Sequence, residues 1–268
     1  MPKVSVIMGV YNAGRRENML NDAVESILNQ TFTDFEFIIC NDGSNDNTKE
    51  ILNRIQLKDK RIIIIENEVN KGLTYTLNRC LNECKGEYIA RMDDDDISDK
   101  DRFKKQVNLL DSNKELGVIG INASLFDDSG IWGEKCYPEY LKKEDFLFTS
   151  PVTHPTIMAR KECFELVKGY KEEWYTDRTE DYDLFMRMYA SNVKFYTIQD
   201  KLFKYREDKN SYKKRKYKYR INETVVRMKG FKKLGLYPKG VIYVIKPLIV
   251  GLIPGFMMRK IHMKNDCE

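Results

Sequence analysis

Four apolar runs, each halted by a polar cluster, constrain what this 268-residue chain can fold into more than any other feature. Val4-Ser5-Val6-Ile7-Met8 ends at Gly9 and Asn12, and Phe35 to Cys40 is stopped by Asn41-Asp42-Gly43-Ser44. Arg61 to Ile65 leads into Asn70-Lys71-Gly72, and Glu87 to Arg91 runs into Asp93-Asp94-Asp95-Asp96. Between the runs, Leu20, Ala23, Val24, Ile27 and Leu28, then Ile51, Leu52 and Ile55, then Leu73, Leu77 and Leu81 recur with the helical period. Short strands alternating with helices are joined by crossovers. The pattern therefore predicts an α/β fold, a Rossmann-like and mostly parallel central sheet with helices on both faces.

In such sheets ligands bind beyond the carboxyl ends of the strands, and all four polar clusters fall there. Polar residues delivered by successive strands to one rim suit a nucleotide. No Gly-x-Gly-x-x-Gly follows the first strand and no Gly-Lys-Ser/Thr occurs, so the usual dinucleotide and P-loop cradles are missing. The acidic run sets a further condition, because adjacent carboxylates repel one another unless a cation or solvent relieves them. As a solvated turn it would cap a helix starting from about Asp99 with Ser98 as N-cap, a task for only one or two acids. A hard divalent ion such as Mg²⁺ or Mn²⁺, shared between carboxylates and substrate phosphates, accounts for the whole cluster. An EF-hand would need spaced ligands and a distal Glu that the run lacks.

Taken together and in order, Val4 to Asn12, Asn41 to Ser44, Asn70 to Gly72, Ala90 to Asp96 and Thr179 to Leu184 resemble the family 2 inverting glycosyltransferases with the GT-A fold, over about residues 2–206. The resemblance implies a donor site for a nucleotide-diphosphate sugar, most often UDP-linked, built from Val10, Tyr11, Asn12, Asp42, Lys71, Arg91, Asp93 and Asp94. It implies that Asp42 hydrogen-bonds the base and that Lys71 helps hold the nucleotide. Asp93 and Asp95 match the Asp-x-Asp motif, with Asp93 toward the ribose and metal and Asp95 ligating Mn²⁺ or Mg²⁺ on the diphosphate. The chain departs from the family pattern at Asp94, where a small residue is frequent, and at Gly9, where many members carry Pro.

The same resemblance makes Asp181 of the Glu180-Asp181 pair the general base. Inversion requires a carboxylate opposite the leaving nucleotide to take the proton of the acceptor hydroxyl. Acids in a first helical turn otherwise serve the helix dipole alone. Glu180, His154 and Arg206 are candidates for contact with the acceptor or the diphosphate. His154, followed by Pro155, also reads as a structural loop histidine. Relatives often carry Tyr-Arg-x-His where this chain has Tyr205-Arg206-Glu207-Asp208, so no role passes to Asp208. Residues 1–206 are expected to form the catalytic domain, with a nucleotide-sugar half at 1–98 and an acceptor half at 99–206. The apolar run from Val118 to Phe126 should extend the sheet and wall the sugar pocket.

Charge divides the chain where the resemblance ends. The net charge is +5, but residues 1–200 hold 27 basic and 36 acidic side chains, whereas 201–264 hold 19 basic and 3 acidic. A basic segment after an acidic body faces an anionic partner. Tyr205, Tyr212, Tyr217 and Tyr219 among the basic residues suggest nucleic acid. The stretch from Val241 to Met258 argues against that partner. It is apolar except for Lys246 and broken by Pro247, Gly251, Pro254 and Gly255, which suits a segment lying among lipid headgroups. Residues 207–268 are thus expected to be a helical membrane-associating segment, peripheral on the anionic inner face of the cell membrane. That location points to a polyprenyl-diphosphate-linked glycan as acceptor, in surface polysaccharide synthesis.

Six scattered cysteines and an N-terminus that runs directly into a strand fit a reducing, cytoplasmic compartment. Cys80 and Cys84 lie one helical turn apart, but two histidines in the whole chain leave little to complete a zinc site. Two rival readings stay open at this point. A sugar-nucleotide pyrophosphorylase needs a glycine-rich basic loop after the first strand, echoed only by Gly14-Arg15-Arg16. A basic nucleic-acid-binding protein would carry its affinity in residues 201–264.

Overall fold

Strand β1 (Val4–Val10) is buried along nearly its whole length, as a strand covered on both faces must be. It pairs in parallel with β2 (Phe35–Asp42) on one side and β4 (Tyr88–Arg91) on the other, and β3 (Ile62–Asn67) continues the parallel array beyond β2. The crossovers are α1 (Glu17–Leu28), α2 (Thr48–Gln56) and α3 (Leu73–Glu83). Alternate residues of β1 feed two cores, because successive side chains of a strand point to opposite faces. Val4, Val6, Met8 and Val10 pack with Leu20, Val24, Ile51 and Ile55 of α1 and α2, whereas Ile7 packs with Leu77 and Cys80 of α3. This computed structural model describes residues 1–207 and 216–252. Asp208 and the part of the apolar run beyond Leu252 lie outside the described residues.

Past β4 the sheet changes character. The elements there are β5 (Ile97–Ser98), α4 (Arg102–Ser112), β6 (Leu116–Asp127), β7 (Gly130–Lys135), β8 (Met158–Arg160), α5 (Lys161–Leu166), α6 (Glu180–Ala190) and β9 (Lys194–Arg206). The order is β3-β2-β1-β4-β8-β6-β9-β5, with β7 hydrogen-bonded to β6. Strand β8 is antiparallel to both β4 and β6, β9 is parallel to β6, and β5 is antiparallel to β9. The sheet is thus parallel from β3 to β4 and mixed beyond, and β6 extends it as the apolar run from Val118 predicts.

Ser98 is not a helix cap. It is extended, paired with Phe203 of β9, and its N–H donates to Ser26 Oγ at 3.1 Å. The helix begins at Arg102 behind Asp101. Pairing with β9 holds Ile97 and Ser98 extended, and a turn at 100–101 delays the helix to Arg102.

Two helices follow β9, α7 (Tyr217–Lys233) and α8 (Val241–Gly251). Val226, Phe231, Leu234, Leu236 and Val244 join the buried cluster that also holds Leu184 and Phe185 of α6. Buried Arg227 donates to the carbonyls of Leu147 (2.6 Å) and Phe148 (2.9 Å) while pairing with Glu223 (2.9 Å). Helix α7 is therefore docked on the body of the protein. Among the described residues no helix is long and apolar enough to cross a membrane.

Candidate active site

The loops after β1, β2 and β3 are tied to one another by their own polar groups. Asn12 has φ 48°, a conformation that asparagine tolerates better than most residues. Its N–H donates to Ser44 Oγ and its Oδ1 accepts from the Asn45 N–H, each at 3.0 Å. The Ala13 N–H reaches Thr48 Oγ1 at 2.8 Å and the Gly14 N–H reaches Asp46 Oδ2 at 2.9 Å. Val10 is buried beneath this rim, and Tyr11 is exposed on it.

Asp42, at the end of β2, is buried with three donors around its carboxylate. Oδ1 accepts from Asn67 Nδ2 (2.7 Å) and the Lys71 N–H (2.8 Å), and Oδ2 accepts from the Gly72 N–H (2.8 Å). Gly43 makes this approach of loops possible. Its φ is +60°, and a Cβ there would lie 2.2 Å from the Val69 carbonyl carbon. Asp42 thus shapes the loop that carries Lys71, whose side chain is exposed. Oδ2, with one donor bound, has a lone pair left.

Strand β4 carries Arg91 into the interior and returns Asp93 to Asp96 to the rim. Arg91 is 1% exposed, forms an ion pair with Asp93, and has no hydrogen-bond partner for Nε among the described residues. Asp94 takes both arms of the Arg16 guanidinium, at 3.1 and 3.3 Å, the fork geometry that makes such pairs strong. Asp95 lies 3.9 Å from the same guanidinium. Buried Asp96 accepts the Arg206 N–H at 2.7 Å, and its other oxygen has no partner among the described residues. Arg206 Nε donates to the Asp95 carbonyl (3.2 Å) and Nη1 to Asp128 (2.8 Å), over the Phe126 ring. The structure thus makes Arg206 a strap across the acidic turn.

Burial pushes all of Asp94, Asp95 and Asp96 above the usual carboxylate range. Asp93 and Asp94 add to the effect on Asp95, which reaches about 7, while Arg16 offsets part of it at Asp94. Burial and mutual repulsion thus disfavour the ionised forms of these carboxyls more than Arg16 favours them.

The start of α6 brings a second acidic pair to the same neighbourhood. Burial raises Asp181, a half-buried residue, while the Tyr182 amide, the Ser150 hydroxyl and Arg91 favour its anion. Burial, then the charge of Asp181, raises Glu180. His154 is buried against Tyr170 and Phe185, with Nε2 2.7 Å from the Tyr170 hydroxyl. Burial, then Arg91, hold its pKa well below the ordinary value, so the ring is neutral. Its contacts are those of a structural histidine. Arg91 pairs directly with Asp93 and acts more weakly on Asp96, Glu180, Asp181 and Tyr170.

Donor chemistry decides what ion the turn suits. Carboxylates are hard oxygen donors, and half-buried Asp95 has the Arg16 guanidinium no nearer than 3.9 Å. Among the described residues no group of three or more Asp, Glu, His or Cys side chains converges on one point. The hard oxygen donors of the turn suit an ion of the Mg²⁺ or Mn²⁺ kind, which can take one or two carboxylates and complete its shell with phosphate oxygens and water. Arg16 enters the sequence reading only within Gly14-Arg15-Arg16, the echo of a pyrophosphorylase loop, and its pairing with Asp94 is absent from that reading. Its signal was a basic pair directly after the first rim loop, on the side of the sheet that receives the acidic run.

Residues 5–166 match the family described as Glycosyl transferase family 2. The chain is 36% identical to the putative glycosyltransferase EpsE of Bacillus subtilis (strain 168), over 98% of this chain and 94% of EpsE. It is 32% identical to the O-antigen biosynthesis glycosyltransferase WbnJ of Escherichia coli, over 76% of this chain and 79% of WbnJ. Two solved structures share the fold. S. aureus TarS 1-349 in complex with UDP-GlcNAc has a TM-score of 0.69 at 18% identity, covering 89% of this chain and 72% of TarS 1-349. The mannosyltransferase PcManGT from Pyrobaculum calidifontis, in complex with GDP-Man and Mn²⁺, has a TM-score of 0.66 at 15% identity, covering 98% of this chain and 80% of PcManGT. These likenesses favour a transferase over the pyrophosphorylase and nucleic-acid readings. The chain, with its GT-A fold, is a glycosyltransferase and belongs to glycosyl transferase family 2.

Proposed function

We propose that this glycosyltransferase moves a hexose or N-acetylhexosamine, with inversion, from a UDP-sugar to a carbohydrate hydroxyl on a lipid-linked oligosaccharide in surface polysaccharide synthesis. The observation that carries the reading is the acidic turn after β4, where Asp93 pairs with buried Arg91 and half-buried Asp95 stands 3.9 Å from Arg16, on a chain whose α6 begins with Glu180 and Asp181. An inverting displacement needs two poles, one toward the departing diphosphate and one toward the incoming hydroxyl. Asp93 and Asp95 would serve the first and Asp181 the second. A bound Mn²⁺ or Mg²⁺ would neutralise charge on the departing diphosphate as a Lewis acid.

Asp181 takes the proton of the acceptor oxygen onto its carboxylate. A pKa raised by burial brings it nearer to the pH at which it works, which favours a general base. Asp42 Oδ2 offers its remaining lone pair to the base, and Val10, Tyr11, Asn12 and Lys71 complete the nucleotide side of the rim. A nucleotide-sugar donor is supported by the UDP-GlcNAc complex of TarS and the GDP-Man complex of PcManGT, and a divalent ion by the Mn²⁺ of the latter. The O-antigen role in WbnJ's name supports a polysaccharide product.

Residues 1–206 form the catalytic domain in this reading, and 207–268 attach it peripherally to the cytoplasmic face of an anionic membrane. Helix α8 supports the attachment. Ile242, Ile245, Ile249 and Leu252 are exposed at helical spacing along one side, and Ile242 is 77% exposed. Residues 216–252 hold nine basic side chains and one acidic. Exposed apolar side chains flanked by lysines are what an interfacial helix presents to lipid.

Calorimetric titration of UDP-, GDP- and dTDP-sugars, with and without Mn²⁺, tests the donor assignment. Metal-dependent binding of a UDP-sugar is expected. Binding confined to another nucleotide, or indifferent to the metal, would overturn it.

A further inference from the structure

The acidic turn already holds a cation, and that cation belongs to the chain. Arg16 ends the short helical turn Gly14–Arg16 between β1 and α1. The start of that turn is pinned by the bonds from Ala13 to Thr48 and from Gly14 to Asp46. From this fixed base the guanidinium grips Asp94 with both arms and stands 3.9 Å from Asp95 Oδ2. The arginine side chain is 34% exposed, so it holds the carboxylate while part of it stays open to solvent.

An ion bound to Asp95 would find this positive charge beside it. Two like charges a few ångströms apart repel, and a divalent ion feels twice the effect of a monovalent one. The repulsion is relieved when a diphosphate arrives, because the planar fork of arginine matches phosphate oxygens as well as it matches carboxylate. Arg16 therefore treats a bare ion and an ion–diphosphate pair differently.

We propose that Arg16 is a positioning residue that makes divalent-ion binding conditional on the nucleotide. In the ligand-free protein it pairs with Asp94 and weakens the hold of Asp95 on a bare ion. With donor present, it turns an arm to the diphosphate and stabilises the ternary complex. This rests on the reading of Asp93 and Asp95 as the cation site.

The test is Mn²⁺ titration followed by electron paramagnetic resonance of the unbound ion, with and without UDP. It uses wild type, Arg16→Gln, Arg16→Lys and Asp95→Asn, with thermal melting to confirm that each variant is folded. In wild type, UDP should tighten Mn²⁺ binding by at least about tenfold, an ordinary size for coupling between two ligands. Arg16→Gln should bind Mn²⁺ alone about tenfold more tightly than wild type and lose most of the coupling. Arg16→Lys, which keeps the charge without the fork, should still disfavour the bare ion but recover only part of the coupling. If Arg16→Gln keeps wild-type affinity for bare Mn²⁺ and wild-type coupling while Asp95→Asn loses the ion, the role of Arg16 is overturned and the cation site stands. Wild-type protein that binds no Mn²⁺ under either condition would overturn both.

Discussion

Replacing Asp42 by Asn separates two duties of one carboxylate. Its oxygens accept from Asn67, Lys71 and Gly72 at 2.7 to 2.8 Å, all without help from solvent. The substituted side chain would retain one carbonyl oxygen and present an amide NH₂ where the other oxygen stood. If the carbonyl faces Asn67 and Lys71, the Gly72 N–H meets a donor. One bond to a charged acceptor is then lost, at about 1.5–3 kcal/mol, and two more become neutral bonds, each weaker by about 1 kcal/mol. The total is roughly 4 kcal/mol, inside the 5–15 kcal/mol or so that hold a domain together, so the variant stays folded. At about 2–4 °C per kcal/mol for a chain of this size, melting should fall by roughly 8–16 °C. UDP affinity, measured calorimetrically well below both melting points, should fall by about 10- to 100-fold through loss of one bond between a charged group and the base. A melting point within about 2 °C of wild type would refute the loop-anchoring argument at its source, since it allows less than about 1 kcal/mol for all three bonds. Normal UDP affinity would instead remove Asp42 from the base.

Three further perturbations address the rest of the site and the tail. Asp181→Asn should reduce transfer by at least about a hundredfold, the usual worth of a positioned base, while UDP binding stays within about twofold of wild type; lost UDP binding would put Asp181 on the donor side. In the metal-free protein the carboxyls of Asp95 and Glu180 titrate above their unfolded values, chiefly through burial. The folded state then binds more protons than the unfolded one between about pH 4 and about pH 7, so this contribution to stability is full below that window and lost as pH rises through it. Buried neutral His154 works the other way in this window, but one imidazole opposes two carboxyls, so melting in chelator should still occur at higher temperature at pH 5.5 than at pH 7.5, and the reverse order would contradict the burial of these acids. Ile242→Glu combined with Ile249→Glu changes side chains 77% and 60% exposed, so stability should be unaffected while cosedimentation with anionic vesicles drops at least about tenfold. Undiminished sedimentation would take α8 out of the membrane contact.

The strands that alternate with helices were legible because each signal is local. Val4, Val6 and Met8 on one face and Ile7 on the other declare a strand buried on both sides, and the clusters after it declare the rim. What was not legible depends on pairing between distant segments. Strand β8 is three residues long, and its antiparallel place between β4 and β6 is set by partners rather than by its own pattern. Ser98 has the composition of a helix cap, and a neighbour more than a hundred residues away keeps it extended. The same limit applies to the site. Asp42, Asp93, Asp95 and Asp181 stand out as motif residues in the chain, but the long-range partners that surround the acidic turn do not. Arg16 reaches Asp94 across 78 positions, and Arg206 reaches the Asp95 carbonyl across 111.

Those long-range partners also explain how a membrane-bound acceptor would meet the base. Helix α7 is fastened to the segment just ahead of α6 by Lys218 on Asp177 (3.3 Å) and by Asn222 Nδ2 on the Asp177 carbonyl (3.0 Å). It is fastened again, through Arg227, to the carbonyls of Leu147 and Phe148. Phe148 in turn meets Tyr243 of α8 with ring centroids 5.4 Å apart. In the proposed arrangement, lipid contact at the outer side of α8 would fix α7, and α7 would fix the first turn of α6 that carries Asp181. A soluble donor would enter over the loops of β1 to β3, while a lipid-linked acceptor would come from the side of α6 and α8. The two substrates would then enter from different sides, which leaves the acceptor oxygen free to meet the anomeric carbon opposite the leaving diphosphate.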